Sequence, residues 1–285
     1  MKISVETLGI RKKVGDFKAI EMIKEAGYDA VDFTYCSIPH DEPILNDEYK
    51  DYAYKIKACI EENGLDIVQT HAPFAFEYGQ KMDVSEHNYD VVVRSMEASA
   101  IIGAEMIVVH AVNTPLDVDN DEYNYQYYKT LEPYAEKFGI KIAVENLPVR
   151  DTKRNCYSRE RIGSPEKLNA MIDRLGSKWF TGCIDIGHAA LTGYEPEEFL
   201  LAVKKEYIGC LHVHDNDYKG DMHQMPYVGA FNWDNIMSTL KKQEYNGVFN
   251  LELVHCLGKL PEELLFDMMK YGVKVGKHLV GKMEG

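Results

Sequence analysis

The sequence predicts an α/β fold, a single closed (β/α)8 barrel over residues 1–285 with its site at the C-terminal ends of the strands. Three observations predict it. Short β-rich runs alternate with helix-length segments, one unit about every 35 residues, and the count of units reaches eight. Gly27, Gly64, Gly103, Gly139 and Gly247 each stand after a helical segment and before a strand, where a left-handed residue is wanted. Strand after strand closes its apolar run on an acid or an imidazole. A doubly wound open sheet is the competing architecture, but it supplies no reason for polar residues to end so many strands.

Strands are expected near Lys2 to Glu6, Asp29 to Thr34, Leu65 to His71, Glu105 to His110, Ile140 to Asn146, Phe180 to Asp185, Ile208 to His214 and Val248 to Val254. Between them, apolar residues at three- and four-residue spacing predict helices over Asp16 to Ala26, Asp47 to Glu62, Val84 to Ile102, Glu122 to Phe138, Ser164 to Leu175, Pro196 to Lys205 and Trp233 to Gln243, with a last one over Pro261 to Leu279. The first offers Phe17, Ile20 and Ile23 to a core. Asp16, Asp47 and Ser164 fit as N-caps, and Pro165, Pro196 and Pro261 fit the first helical turn. The long loops follow strands. An acidic, tyrosine-rich one runs from Asn113 to Tyr128, and a basic one after Asn146 carries Arg150, Lys153, Arg154, Arg159 and Arg161. That asymmetry is expected when the C-terminal face of a barrel bears the site.

Composition narrows the function classes. The net charge of −14 disfavours nucleic acid, whose phosphates demand a basic face. No apolar run reaches membrane-spanning length, and Lys2 and Glu6 interrupt any signal-peptide pattern at the start. The six cysteines are scattered without a C-x-x-C pair, so a reducing cytoplasmic setting is expected in place of a disulfide framework or zinc ribbon. Homo-oligomerisation is left open.

The chemistry concentrates in Cys183-Ile184-Asp185-Ile186-Gly187-His188. In a strand, side chains alternate faces, so Asp185 points where Cys183 points, toward a position usually apolar. Gly187 lets the backbone turn sharply, so that His188 reaches back toward the same point. The pattern recurs at His71, His110, Glu145, His212, His214 and Glu252. Glu145 shares a face with Ala143 and Glu252 with Asn250, while Val144, Leu211, Val213, Leu251 and Leu253 take the helix-facing side. Each residue alone reads as a hydrogen-bonded core group or an ion-paired strand end. Together they line one mouth, where unpaired carboxylates would cost several kcal/mol each unless a cation or donors neutralise them.

These motifs resemble the xylose-isomerase-like barrel superfamily of sugar-phosphate isomerases and epimerases, ketose 3-epimerases and endonuclease IV. The resemblance covers nearly the whole chain. It is most specific in Val144-Glu145-Asn146, Asp185-Ile186-Gly187-His188, His212-Val213-His214-Asp215 and Leu251-Glu252, and the run from Asn232-Trp233 through Tyr245-Asn246-Gly247 resembles the family's tail. It implies one divalent metal ion held by Glu145, Asp185, His212 and Glu252, with His212 preferred over His214 because an acid, Asp215, follows three residues later. The carboxylate-rich set suits Mn²⁺, Mg²⁺ or Co²⁺ ahead of Zn²⁺, which stays open. The implied reaction is isomerisation or epimerisation of a small sugar or sugar phosphate by proton abstraction next to a carbonyl, through an enediolate held on the metal. Glu145 and Glu252 would be the catalytic pair, and His188, His71, His110 and His223 the substrate contacts.

A departure keeps a second reading open. Asp221-Met222-His223 resembles the D-x-H element of endonuclease IV, which gives Asp221 and His223 a role at additional metals in a three-metal phosphodiesterase. The acidic surface and the stretch Tyr227 to Trp233 favour the isomerase branch, although that branch usually has a second glycine near Ala230. Cleavage of an oxidised C-glycoside would use the same residues, and a barrel that binds sugar or metal without turnover is the reading from another class. The basic loop reads either as a grip on a substrate phosphate or as a solvated loop pairing with neighbouring acids, the second being preferred.

Overall fold

The computed structural model describes residues 1–115 and 117–284. Eight strands run parallel: β1 (Ile3–Glu6), β2 (Ala30–Thr34), β3 (Asp66–His71), β4 (Met106–Val109), β5 (Lys141–Glu145), β8 (Phe180–Asp185), β9 (Ile208–His212) and β10 (Phe249–Leu251). From β1 to β9 each pairs with the next in this order, and β1 also pairs with β10. Just beyond β9, Val213 closes the ring: its N–H donates to Asn250 O at 2.9 Å, and Glu252 N–H donates to Val213 O at 3.0 Å. The barrel predicted from the alternating pattern is therefore the fold. No helix among the described residues is long and apolar enough to cross a membrane, and the six cysteines are free thiols.

Side-chain parity sorts the interior into tiers. Met106, Val108, Ala143, Cys183 and Cys210 pack together inside the barrel. Val144, Leu211, Val213, Leu251 and Leu253 join the larger apolar layer between sheet and helices, as their alternation requires. A polar tier crosses the interior as well. Ser4 Oγ donates to Asn250 Oδ1 at 2.7 Å, and Asn250 Nδ2 and Gln69 Nε2 donate to Asp32 Oδ2 at 2.7 and 3.0 Å. Buried polar groups are tolerable when hydrogen-bonded in this way, and the tier forms a floor beneath the strand ends.

Several local expectations need correction. A helix over Leu8–Val14 was not anticipated; its Leu8 and Ile10 are buried, and its Arg11 bonds Asp16 and, at 2.8 Å, Glu42. Asp16 is thus the first residue of its helix and an ion-pair partner, not an N-cap. Phe17 is 38% exposed, and Ala19, Ile20 and Ile23 carry that helix's buried face. Asp47 turns to Arg94 at 2.8 Å, and its helix begins at Tyr49. Ser164 does cap, accepting from Lys167 N–H at 3.3 Å.

Gly27, Gly64, Gly103 and Gly139 have φ of 99°, 58°, 106° and 71°, the left-handed values expected. Gly247 does not. Glu244 takes that conformation with φ 55°, and Gly247 is required because a Cβ there would stand 2.4 Å from the Tyr245 hydroxyl. The last strand also ends early, at Leu251, and Val254 opens a short helix to Gly258, so Glu252 sits just beyond the strand.

The basic loop folds into a hairpin of β6 (Val149–Asp151) and β7 (Cys156–Ser158). Its guanidiniums have protein partners: Arg150 on Tyr157 and Asn155, Arg154 on Asp151, Arg159 on the Thr192 carbonyl and the Tyr194 ring, and Arg161 on the Ala111 and Pro148 carbonyls. Only Arg154 pairs with an acid as the paired-loop reading expects; the other guanidiniums bond carbonyl, amide and tyrosine groups of the loop and its neighbours.

Candidate active site

Glu145, the last residue of β5, is the hub of the site. Its Oε1 lies 3.0 Å from His212 Nδ1 and 3.4 Å from His188 Nδ1; its Oε2 lies 2.5 Å from His110 Nε2 and 3.5 Å from His71 Nε2. Asp185 sits opposite His212 in register across β8 and β9, and its Oδ2 is 3.9 Å from His212 Nδ1. Glu252 brings Oε2 to 3.6 Å from the same nitrogen. Thus His212 Nδ1 has carboxylate oxygens from three other strand ends around it. Two ligands each about 2.1 Å from an ion lie roughly 3–4 Å apart, and the separations of these three oxygens from His212 Nδ1 fall in that range.

The turn after β8 is built around the site. Asp185 Oδ1 accepts from His188 N–H at 2.6 Å, capping the helix Ile186–Leu191 and returning the His188 ring toward Asp185 and Glu145. Gly187 lies within that helix and has ordinary backbone angles, contrary to the sharp turn expected of it. It is glycine for space, because a Cβ there would meet His214 Cε1 at 1.9 Å. His214 Nε2 lies 3.1 Å from Asp185 Oδ1, and its ring stacks on His223 with centroids 4.1 Å apart and planes 12° from parallel.

The loop after β9 brings in the remaining groups. Asp221 lies 3.2 Å from His223 Nε2 and 3.6 Å from His188 Nε2, and His223 Nδ1 lies 3.4 Å from Glu252 Oε2. The loop is anchored by buried Asp215, which accepts from Tyr227 N–H at 3.0 Å and Trp233 Nε1–H at 2.8 Å. All of the residues singled out in the sequence therefore gather at one mouth. The ligating atoms of His71, His110 and Glu145, and likewise those of His214, Asp221 and His223, lie within 4.8 Å of one another.

Electrostatics divide the carboxylates. Burial alone would raise Glu145, yet the surrounding His110 and His212 imidazoles and hydrogen bonds from His110 and His188 hold it well below the ordinary carboxylate range. Burial pushes Glu252 well up, reinforced by Asp185 and Glu145. Burial lowers His110 to about 4. His188 is driven up against its burial by Asp185 and Asp221. Glu252 Oε2 and His212 Nε2 are buried without a hydrogen-bond partner among the described residues. A crowd of acids containing unpartnered oxygens is an environment a cation would relieve.

The cavity over these groups measures about 230 Å³ and meets a wider cleft of about 580 Å³ at Phe74 and His110. Sequence reasoning missed Glu6, Cys36 and Asp32. Glu6 and Cys36 line the cavity, and Asp32 lies beneath, 3.8 Å from His212 Nε2. The signal for Glu6 was present, since Ile3-Ser4-Val5-Glu6 also closes on an acid.

The fold and site together define a (β/α)8 barrel with a buried acid and histidine centre at its strand ends, of a kind able to hold a divalent cation. Residues 20–267 match the family described as xylose isomerase-like TIM barrel, and the chain belongs to that family. Among curated relatives, uncharacterized protein MJ1311 of Methanocaldococcus jannaschii is 29% identical over 195 residues, a match covering 65% of this chain and 64% of MJ1311, so less than two thirds of that relative's length is spanned. The fold is shared with the crystal structure of a D-tagatose 3-epimerase-like protein, at TM-score 0.76 and 23% identity with both chains fully covered. It is shared too with the IolI protein with a binding zinc atom, at TM-score 0.77 and 16% identity over 99% of both chains.

Proposed function

We propose that the chain is a divalent-metal-dependent sugar isomerase or epimerase that moves a proton on a carbon next to a carbonyl. The observation that carries this reading is the convergence of Glu145, Asp185 and Glu252 within 3.9 Å of His212 Nδ1. Family membership and the resemblance to an epimerase-like protein support the sugar; the zinc in IolI supports a metal.

Glu145, Asp185, His212 and Glu252 would hold the ion. When bound, it supplies Lewis-acid polarisation of a carbonyl oxygen. The protein's own groups do the rest. Glu145 and Glu252 approach His212 Nδ1 from β5 and from the end of β10, so they can serve the two faces of a carbon held in front of it. One carboxylate takes the proton from carbon, leaving an enediolate, and the other acid returns a proton to the opposite face, which inverts that centre. His188 holds a substrate oxygen beside the pair, and His71, His110 and His223 bond the flanking hydroxyls. Phe74, packed 4.5 Å from the His110 ring, helps keep water from the cavity.

Incubation of the Mn²⁺-loaded protein with a panel of ketoses in deuterated water tests this. At least one ketose is expected to gain deuterium at the carbon beside its carbonyl, and no exchange with any member of the panel would contradict the reading.

A three-metal phosphodiesterase of the endonuclease IV type is the second reading, and the two further groups of ligating atoms, at His71–His110–Glu145 and His214–Asp221–His223, favour it. The net charge of −14 and the lack of lysine or arginine among the residues lining the cavity weigh against a polyanionic substrate. Nicking of abasic duplex DNA separates the two.

A further inference from the structure

The mechanism above leaves one buried acid at the mouth unused. Glu6 ends β1 opposite Asp32 in register, is 3% exposed, and lines the cavity with His71 and Glu252. Its Oε1 accepts from Leu8 N–H at 2.9 Å, which fixes the carboxyl group against the start of the helix Leu8–Val14. Its Oε2 is buried and has no hydrogen-bond partner among the described residues. A buried polar atom left unpaired in this way is a standing penalty that a ligand group can remove. Burial, with Asp32 beside it, pushes the Glu6 carboxyl up to about 8 against the pull of the Leu8 N–H, the His71 ring and the Thr34 hydroxyl nearby.

No lysine or arginine lines this cavity among the described residues. Arg11 is held by Asp16 and Glu42, and Arg161, at the edge of the neighbouring cleft, bonds the Ala111 and Pro148 carbonyls through its two terminal nitrogens while its buried Nε has no partner among the described residues. Asp221 and Glu252 add further acid to the wall. A phosphate dianion placed here would be desolvated with no guanidinium or ammonium to receive it.

We infer that Glu6 is a substrate-binding residue, its free Oε2 pairing with a hydroxyl of the substrate's carbon chain, and that the cavity takes an uncharged polyhydroxylated chain in preference to its phosphate ester. This rests on the reading of the site as a sugar site. It adds a residue and a charge class to that reading.

The test is calorimetric binding of non-reacting pentitols and hexitols, each beside its own terminal phosphate monoester, to the Mn²⁺-loaded protein. The unmodified protein is expected to bind at least one alcohol roughly tenfold or more tighter than its ester. Glu6→Gln, which keeps a carbonyl oxygen able to accept at that place, is expected to retain that affinity within about threefold, and Glu6→Leu to lose roughly tenfold or more while metal stoichiometry stays unchanged. Equal or tighter binding of the esters, an unchanged Glu6→Leu affinity, or no binding of any alcohol would overturn the inference. If Glu6→Leu does not fold, the alcohol-to-ester ratio of the unmodified protein decides alone. Because turnover is not involved, a preserved preference without deuterium exchange would sink the isomerase reading and leave Glu6 in place.

Discussion

Glu145→Gln is expected to lower proton exchange by roughly 10²–10⁴-fold, the range that removal of a general base commands. The variant keeps the size of the side chain but cannot accept the carbon-bound proton. It also discards the charge that His71, His110, His188 and His212 all face. Glu252→Gln is expected to act similarly through the other face, with a smaller electrostatic disturbance, since its Oε2 makes no hydrogen bond. Rates of deuterium incorporation, measured beside circular dichroism to check the fold, read both. Full activity in either variant would contradict the two-glutamate mechanism.

Gly187→Ala is expected to cost about 3 kcal/mol of stability and to weaken divalent-metal binding by tenfold or more. The new methyl would stand 1.9 Å from His214 Cε1. His214 cannot simply swing away, because Asp185 holds its Nε2 at 3.1 Å and His223 stacks on its face. Whatever shift accommodates the methyl must therefore pass to Asp185, which bonds His214 and faces His212 as well. Denaturant unfolding and metal titration measure the two effects. A variant as stable as the parent, with unaltered affinity, would show that His214 has room the packing does not provide.

Most of the barrel was legible because parallel strands covered by helices impose a strong alternation. Val144, Leu211 and Leu251 face the helices; Ala143, Cys183 and Cys210 fill the interior. The gathering of Glu145, Asp185, His212 and Glu252 followed from the same parity applied at each strand end. What escaped were features set by contact between distant segments. Glu6 and Asp32 belong to the same pattern, but Asp32 lies in mid-strand, and its partners Gln69 and Asn250 come from β3 and β10. Gly187 carried a glycine signal, yet its cause is the His214 ring and not a backbone angle. Gly247 misled for a related reason, the Tyr245 hydroxyl having claimed the space of its Cβ. Asp16 resembled a cap only because the helix carrying Arg11 was not foreseen.

The central claim is that carboxylates from separate strands share one cation with His212. Titration of metal-free protein with Mn²⁺ by calorimetry, with elemental analysis of untagged protein purified without chelators, tests it most directly. One ion per chain, with binding lost in Glu145→Gln and in Asp185→Asn, is the expected result; three ions per chain would favour the phosphodiesterase reading, and no saturable binding would contradict the account.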